Sequence, residues 1–135
     1  MTVELVEVFA NDSRSVGQAR DATSAFLADH GEVDDLLARL LVSEVMTNGV
    51  THGAGPIELR LAVDDERERL RVVVTDRGGG RPVLHTPEPD DAGRGGWGLH
   101  LVDDSATAWG SRVGRGRTTV WFELPARRVE HAGAG

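Results

Sequence analysis

Apolar and polar residues recur with two different periods along the chain, and the period of two predicts the strands. In residues 57–63, IELRLAV, every second residue is apolar while Glu58 and Arg60 point to the other side, which predicts a half-buried strand. Residues 70–76, LRVVVTD, predict a more buried strand that returns beside it as an antiparallel hairpin. Residues rich in β-formers predict further strands at 3–9, near 106–113 and at 118–124.

A period near 3.6 residues predicts the helices. Apolar residues from Val16 to Leu27 recur at helical spacing, with Gly31 as a stop signal. A second helix is predicted from about Val33 to His52, and a short third helix at about 97–104. The second helix has a wide apolar face made of Leu36, Leu37, Leu40, Leu41, Val45 and Met46.

The order βααββαββ predicts the architecture. It favours an α/β (α+β) two-layer sandwich, with helices on one face of a mixed, mostly antiparallel sheet and the other face partly free. Residues 1–125 are expected to form a single domain, and residues 126–135 a disordered tail.

The amino-acid composition excludes several classes of function. The net charge of −7 argues against direct nucleic-acid binding, because phosphates would be repelled. All 15 basic residues are Arg, so a P-loop lysine and a Schiff-base lysine are both excluded. Cysteine is absent, and neither a leader peptide nor a membrane-spanning apolar run is present, which predicts a cytoplasmic protein without membrane contact.

One stripe of the second helix changes character along its length. Steps of 4, 3, 4 and 4 residues lead from Leu37 through Leu41, Glu44 and Asn48 to His52. The stripe is apolar in its first half and polar in its second, as expected of a helix that leaves the core to line a pocket. Each polar residue alone is also typical of a solvated helix face.

Two glycine-rich stretches suit a nucleotide. Asp76 ends a strand and precedes RGGG, so its carboxylate can accept a hydrogen bond from an exocyclic amine of the kind that adenine presents at N6. Residues 93–99, GRGGWGL, open a helix and can offer backbone N–H groups to phosphates without a lysine. Either stretch could also be an ordinary loop. Zinc-ligand spacing and a hydrolase nucleophile elbow are both missing.

These residues together resemble three motifs of a known superfamily. SEVMTNGVTHG resembles the N-box, DRGGG the G1 box and GRGGWGLHLV the G2 box of the Bergerat-fold (GHKL) ATPases, in the same order. The short chain with two N-terminal helices is most similar to the anti-sigma-factor serine kinases of the RsbW and SpoIIAB type. The resemblance covers about residues 3–125.

The resemblance implies ATP and Mg²⁺ as cofactors and a role for each matched residue. Glu44 would be the general base, Asn48 the Mg²⁺ ligand and Asp76 the acceptor for the adenine amine. The other implied nucleotide-binding residues are His52 at the rim, Gly78 and Gly80 at the base pocket, Thr118 supporting the Asp76 end, and Gly95, Gly96, Gly98 and Leu99 at the phosphates.

The chain departs from the family pattern at three places. Gly49 stands where the N-box usually has Ala, and Trp97 where the G2 box usually has Leu. The loop between Gly80 and Gly95 must serve as the lid. Candidates for a γ-phosphate cation are Arg77, Arg81 and Arg94, although exposed arginines are also typical of a solvated face.

The implied function is an ATP-dependent protein serine kinase. It would phosphorylate an anti-sigma-factor antagonist of the STAS type, sequester a sigma factor to regulate transcription, and act as a homodimer. An alternative is an ATP-responsive switch that sequesters a regulatory partner without phosphotransfer. A histidine-kinase catalytic domain is disfavoured because the chain has no room for a dimerising phospho-acceptor helix pair.

Overall fold

The structure is a computed structural model that describes residues 1–78 and 98–127, without the side chains of Gly98 and Leu99. Eight elements follow the predicted order. They are β1 Thr2–Phe9, α1 Arg14–His30, α2 Asp35–His52, β2 Ile57–Asp64, β3 Arg69–Asp76, α3 Gly98–Ser105, β4 Ala108–Gly114 and β5 Arg117–Pro125.

The strands form one five-stranded sheet in the order β1-β2-β3-β5-β4. All four ladders between these strands are antiparallel, including the predicted hairpin, in which Leu61 pairs with Val72. The sheet is therefore antiparallel throughout its described strands, where the sequence had predicted a mixed, mostly antiparallel one. The β3–β5 ladder sets Asp76 directly opposite Thr118.

The core lies between one face of the sheet and the helices, as predicted. The inward residues of β2, from Ile57 to Val63, are at most 3% exposed. They belong to a single apolar cluster with residues of α1, α2 and α3, such as Phe26, Met46 and Val102. On the opposite face, β2 carries Glu58, Arg60, Ala62 and Asp64, which are partly or fully exposed, and this is why β2 alternates so regularly.

Local interactions fix where α2 begins and ends. The carboxylate of Asp34 caps its first turn by accepting a hydrogen bond from the N–H of Leu37 (3.0 Å). At the other end, the N–H of Gly53 donates to the carbonyl of Gly49 (2.9 Å). The helix α1 ends before Gly31 as predicted, but Gly31 is extended (φ −169°) and does not adopt the left-handed conformation of a glycine stop.

The predicted apolar face of α2 is wrong at two positions. Leu36 is 82% exposed and Leu40 is 43% exposed, whereas Ala38 and Val42 are fully buried. A helix that covers one sheet buries only the side turned to that sheet, and Leu36 and Leu40 lie one turn apart on the side turned away. Hydrophobicity alone could not distinguish these two sides.

The described fold continues two residues past the predicted domain end. Ala126 is 2% exposed, and Arg127 forms an isolated bridge with Glu32. The rest of the predicted tail, 128–135, lies outside the described residues. Among the described helices, none is long and apolar enough to cross a membrane.

Candidate functional site

The C-terminal half of α2 presents Glu44 and Asn48 one turn apart. Both side chains are half-buried, and neither has a hydrogen bond or ion pair with another residue in ranges 1–78 and 98–127. Burial raises the pKa of the Glu44 carboxyl above its ordinary value. His52, the third polar residue of the stripe, ends α2 and is exposed. The stripe therefore leaves the core at Glu44, as the sequence predicted.

Asp76 is a nearly buried carboxylate at the end of β3. It is 6% exposed, and its Oδ1 accepts a hydrogen bond from the N–H of Gly78 (2.7 Å). Burial raises the pKa of Asp76, and hydrogen bonds from the backbone N–H groups of Gly78 and Ala54 oppose that rise. The backbone thus holds this carboxylate in one orientation.

Gly53, at the C-terminus of α2, lets the helix approach Asp76, and Gly49 one turn earlier is not required for it. A Cβ on Gly53 would lie 2.5 Å from Cγ of Asp76, which is far inside contact distance. A Cβ on Gly49 would lie 3.4 Å from Cδ1 of Ile57 and 3.8 Å from Oδ2 of Asp76, both ordinary contacts. Gly53 is therefore required by close approach, whereas an alanine fits at Gly49. The sequence identified Gly53 only as a chain break, although its place at the end of the N-box was a signal.

Thr118 lies opposite Asp76 on the neighbouring strand and holds Gly78 in place. The side chain is 4% exposed, and its hydroxyl donates to the carbonyl oxygen of Gly78 (2.8 Å). Gly78 itself is close to the end of α2, since a Cβ there would lie 3.0 Å from the N of Ala54 and 3.0 Å from Cα of Gly53. A side chain on Gly78 would push the segment after β3 away from the segment after α2. Asp76, Gly78 and Thr118 therefore form one hydrogen-bonded unit.

The phosphate side of the predicted site is described only in part. Gly98 begins α3 and Leu99 lies in its first turn, and α3 packs beside α2. Gly80, Gly95 and Gly96, together with Trp97, Arg81 and Arg94, lie outside the described residues. Arg77 is exposed, and the carbon stem of its side chain lies over Gly55, where a Cβ would come within 2.7 Å of its Cβ.

Asn48 is the candidate ligand for a cation that would also bind phosphates. Asn48 is half-buried in the C-terminal half of α2, and an amide oxygen is a type of ligand that Mg²⁺ takes. No three His, Cys, Asp or Glu side chains converge within the described residues, so these offer no all-protein cage. Asn48 would hold such a cation, which would take its other ligands from water and phosphate.

Comparison with known proteins gives one family and two related folds. The family model described as the histidine kinase-like ATPase domain matches residues 9–124. The solved structure of the RsbU and RsbW domains of Rv1364c from Mycobacterium tuberculosis aligns with 95% of this chain and 35% of that chain (TM-score 0.66, 21% identity).

The histidine kinase domain of the blue-light activated histidine kinase from Erythrobacter litoralis EL346 aligns with 87% of this chain and 61% of that chain (TM-score 0.52, 24% identity). This chain therefore spans about a third of the first solved chain and under two thirds of the second. Among curated proteins, none matches. At these identities the two structures establish a shared fold.

Proposed function

This chain belongs to the histidine kinase-like ATPase domain family, and from that premise we propose that it is an ATP- and Mg²⁺-dependent protein serine kinase. Its substrate would be an anti-sigma-factor antagonist of the STAS type, and the chain would sequester a sigma factor as a homodimer. The proposal rests on Glu44 and Asn48. They lie one turn apart without protein partners in the described residues, on the helix that approaches Asp76.

Asp76 would bind the amine of adenine. Its Oδ1 accepts the N–H of Gly78, and its Oδ2 lies on the side of Gly49, 3.8 Å from where a Cβ on that glycine would be. A carboxylate oxygen accepts the N6 amine of adenine, whereas guanine presents a carbonyl oxygen at the same position and would be repelled. Thr118 supports this selection because its hydroxyl holds Gly78 in place.

Glu44 is suited to remove the proton from an attacking serine hydroxyl. Its half-buried position raises its pKa, and a carboxylate of higher pKa is a stronger base at neutral pH. Asn48 would hold Mg²⁺ through its amide oxygen, and the bound ion would neutralise charge on the phosphates. Phosphoryl transfer needs chiefly such positioning and charge stabilisation.

The partners follow from the resemblance to anti-sigma-factor kinases, and the RsbW domain of Rv1364c has the same fold. The antagonist would deliver the serine, and the sigma factor would bind while the antagonist is phosphorylated and inactive. The experiment is incubation of the full chain with γ-labelled ATP, Mg²⁺ and a purified candidate antagonist, followed by phosphoserine analysis. We expect labelled serine with the native chain and none with Glu44→Ala.

Two outcomes would contradict the proposal. Regulation of the sigma factor that survives Glu44→Ala without phosphotransfer would favour the non-catalytic switch. If calorimetry detects no ATP binding, both the kinase hypothesis and the ATP-responsive switch are contradicted.

The Asp76→Asn variant tests adenine selection separately. We expect the native chain to bind ATP and ADP but to bind GTP weakly, because only adenine supplies the amine donor. Removing the carboxylate should lower ATP affinity roughly ten- to hundredfold, as expected for a hydrogen bond to a charged group. Calorimetry measures both affinities, and equal affinity of the native chain for GTP would disprove the role of Asp76.

A further inference from the structure

A cleft lies at the opposite ends of β3 and β5 from Asp76 and Thr118. Its volume is about 710 Å³, within the range of ligand sites. We call it the distal cleft and define it by its apolar lining, which is Val33, Leu37, Ala106, Leu124, Pro125 and Ala126. The strands β3 and β5 each have one end at Asp76 and Thr118 and the other at this cleft, about 20 Å away.

Hydrogen bonds hold the walls of the distal cleft in place. Glu32 and Arg127 exchange two backbone hydrogen bonds of 2.8 Å, and the N–H of Ala126 donates to the carbonyl of Glu68 (2.9 Å). These backbone groups are already paired with each other. A partner therefore cannot be held here by adding a strand to them and must use side chains instead.

Exposed leucines extend the apolar lining of the cleft onto the surface of α2. Leu36 (82% exposed) and Leu40 (43% exposed) lie one turn apart on α2, on one side of Leu37, which lines the cleft. Large apolar side chains held outside the core next to a preformed cleft are typical of a binding surface. Their helical spacing suits the apolar face of a partner helix.

The rim of the distal cleft is acidic. Glu32, Asp34 and Glu68 surround it, and Arg127 is the one basic residue among the described residues that line it. None of the three carboxylates forms an ion pair within the described parts of the chain. Such a rim attracts Lys and Arg and repels acidic partners.

From this arrangement we infer that the distal cleft and Leu36/Leu40 form a docking surface for an amphipathic helix of a partner protein, with leucine-like residues on one face and Lys or Arg beside them. The surface is separate from the ATP site, and the inference does not rest on kinase activity. The apolar face would enter the cleft between Leu37 and Leu124, and the basic residues would meet Glu32 and Glu68.

The probe for this surface is a 16-residue synthetic helix with leucines at i, i+3, i+4 and i+7 and lysines elsewhere. One matched peptide has the same composition in scrambled order, and another has Glu in place of every Lys. Binding to the full chain is measured by fluorescence anisotropy, and the site is mapped by amide NMR shifts. We expect the Leu/Lys helix to bind, with shifts centred on Leu37 and Ala126, and both matched peptides to bind at least about tenfold more weakly.

Variants of exposed residues test the surface without removing core contacts. Leu36→Gln with Leu40→Gln should weaken the Leu/Lys helix about tenfold or more, since Gln keeps helix propensity and removes the apolar contact. The matched control is Val8→Gln, a residue 65% exposed in β1, which should leave binding unchanged. Replacing Glu32 and Glu68 by Lys should reverse the preference between the Lys and Glu peptides.

Several outcomes would overturn the inference. Equal binding of the scrambled peptide, or shifts on the open face of the sheet, would show that general charge attraction is responsible. Binding that appears only after residues 128–135 are deleted would identify the chain's own C-terminus as the occupant. Self-association that Leu36→Gln with Leu40→Gln abolishes would identify a second copy of this chain.

Discussion

At the scale of the single residue, Glu44 combines a chemical role with a cost in stability. Burial raises its pKa, so at neutral pH the folded chain holds a carboxylate that would be better solvated in the unfolded chain. The folded-state pKa lies above the unfolded one, and ionisation of Glu44 therefore destabilises the fold at high pH. That penalty disappears as the pH falls through the raised pKa.

Replacement of Glu44 by Gln is expected to separate activity from stability. Phosphotransfer should fall by roughly 10²–10⁴-fold because the proton acceptor is lost, while ATP affinity stays near the native value. The native rate should also fall as the pH drops through the raised pKa of Glu44. In urea unfolding, Glu44→Gln should be more stable than the native chain at pH 7, and this difference should shrink at acid pH. A variant that is less stable at pH 7 would contradict the assigned environment of Glu44.

Gly49 and Gly53 form a matched pair for testing how closely α2 approaches Asp76. Alanine fits at Gly49 and should stabilise the helix by about 0.5–1 kcal/mol, because glycine inside a helix is unfavourable. Alanine at Gly53 should destabilise the fold and lower ATP affinity, since its Cβ would displace the carboxylate of Asp76. Thermal unfolding and calorimetry measure the two effects. If the alanine variants of Gly49 and Gly53 were equally stable and bound ATP equally well, α2 would lie farther from Asp76 than these distances indicate.

At the scale of the element, α2 depends on its N-terminal cap. The Asp34 carboxylate accepts the N–H of Leu37 and satisfies a group that the helix itself leaves unpaired. Asp34→Ala should therefore lower the free energy of unfolding by about 1 kcal/mol in urea titration. The control is Asp29→Ala, an exposed acidic residue near the end of α1. A change in Asp34→Ala no larger than in the control would refute the cap's contribution.

The helices and strands were largely predictable from the sequence, and particular residues show why. The alternation in β2 and the pattern of α2 record which side of each element is buried, so their positions are confirmed to within two residues. Leu36 and Leu40 were assigned to the buried side of α2 although they are exposed, because a leucine predicts burial whichever side of the helix it lies on. The roles of Glu44, Asn48 and Asp76 came from motif resemblance and stay predictions.

At the scale of the whole molecule, ligand binding and folding are linked. The proposed site for ATP with Mg²⁺ exists only in the folded chain, so an ATP concentration 100 times the dissociation constant should stabilise the fold by about 2.7 kcal/mol. For a chain of this size, that corresponds to a rise of roughly 10 °C in Tm. Differential scanning fluorimetry measures the shift. EDTA should reduce it and Asp76→Asn should diminish it, whereas an equal rise with GTP would contradict adenine selection.

The sequence by itself determined the order of the elements, the period of each and the three motifs that identify the family. These are local properties, because side chains repeat every two residues in a strand and every 3.6 in a helix. Only the tertiary structure decided that Gly53 touches Asp76 and that Thr118 holds Gly78. It also decided that Leu36 and Leu40 are exposed beside the distal cleft. Each of these depends on how distant segments meet, and the local pattern around a residue does not record which distant segment it meets.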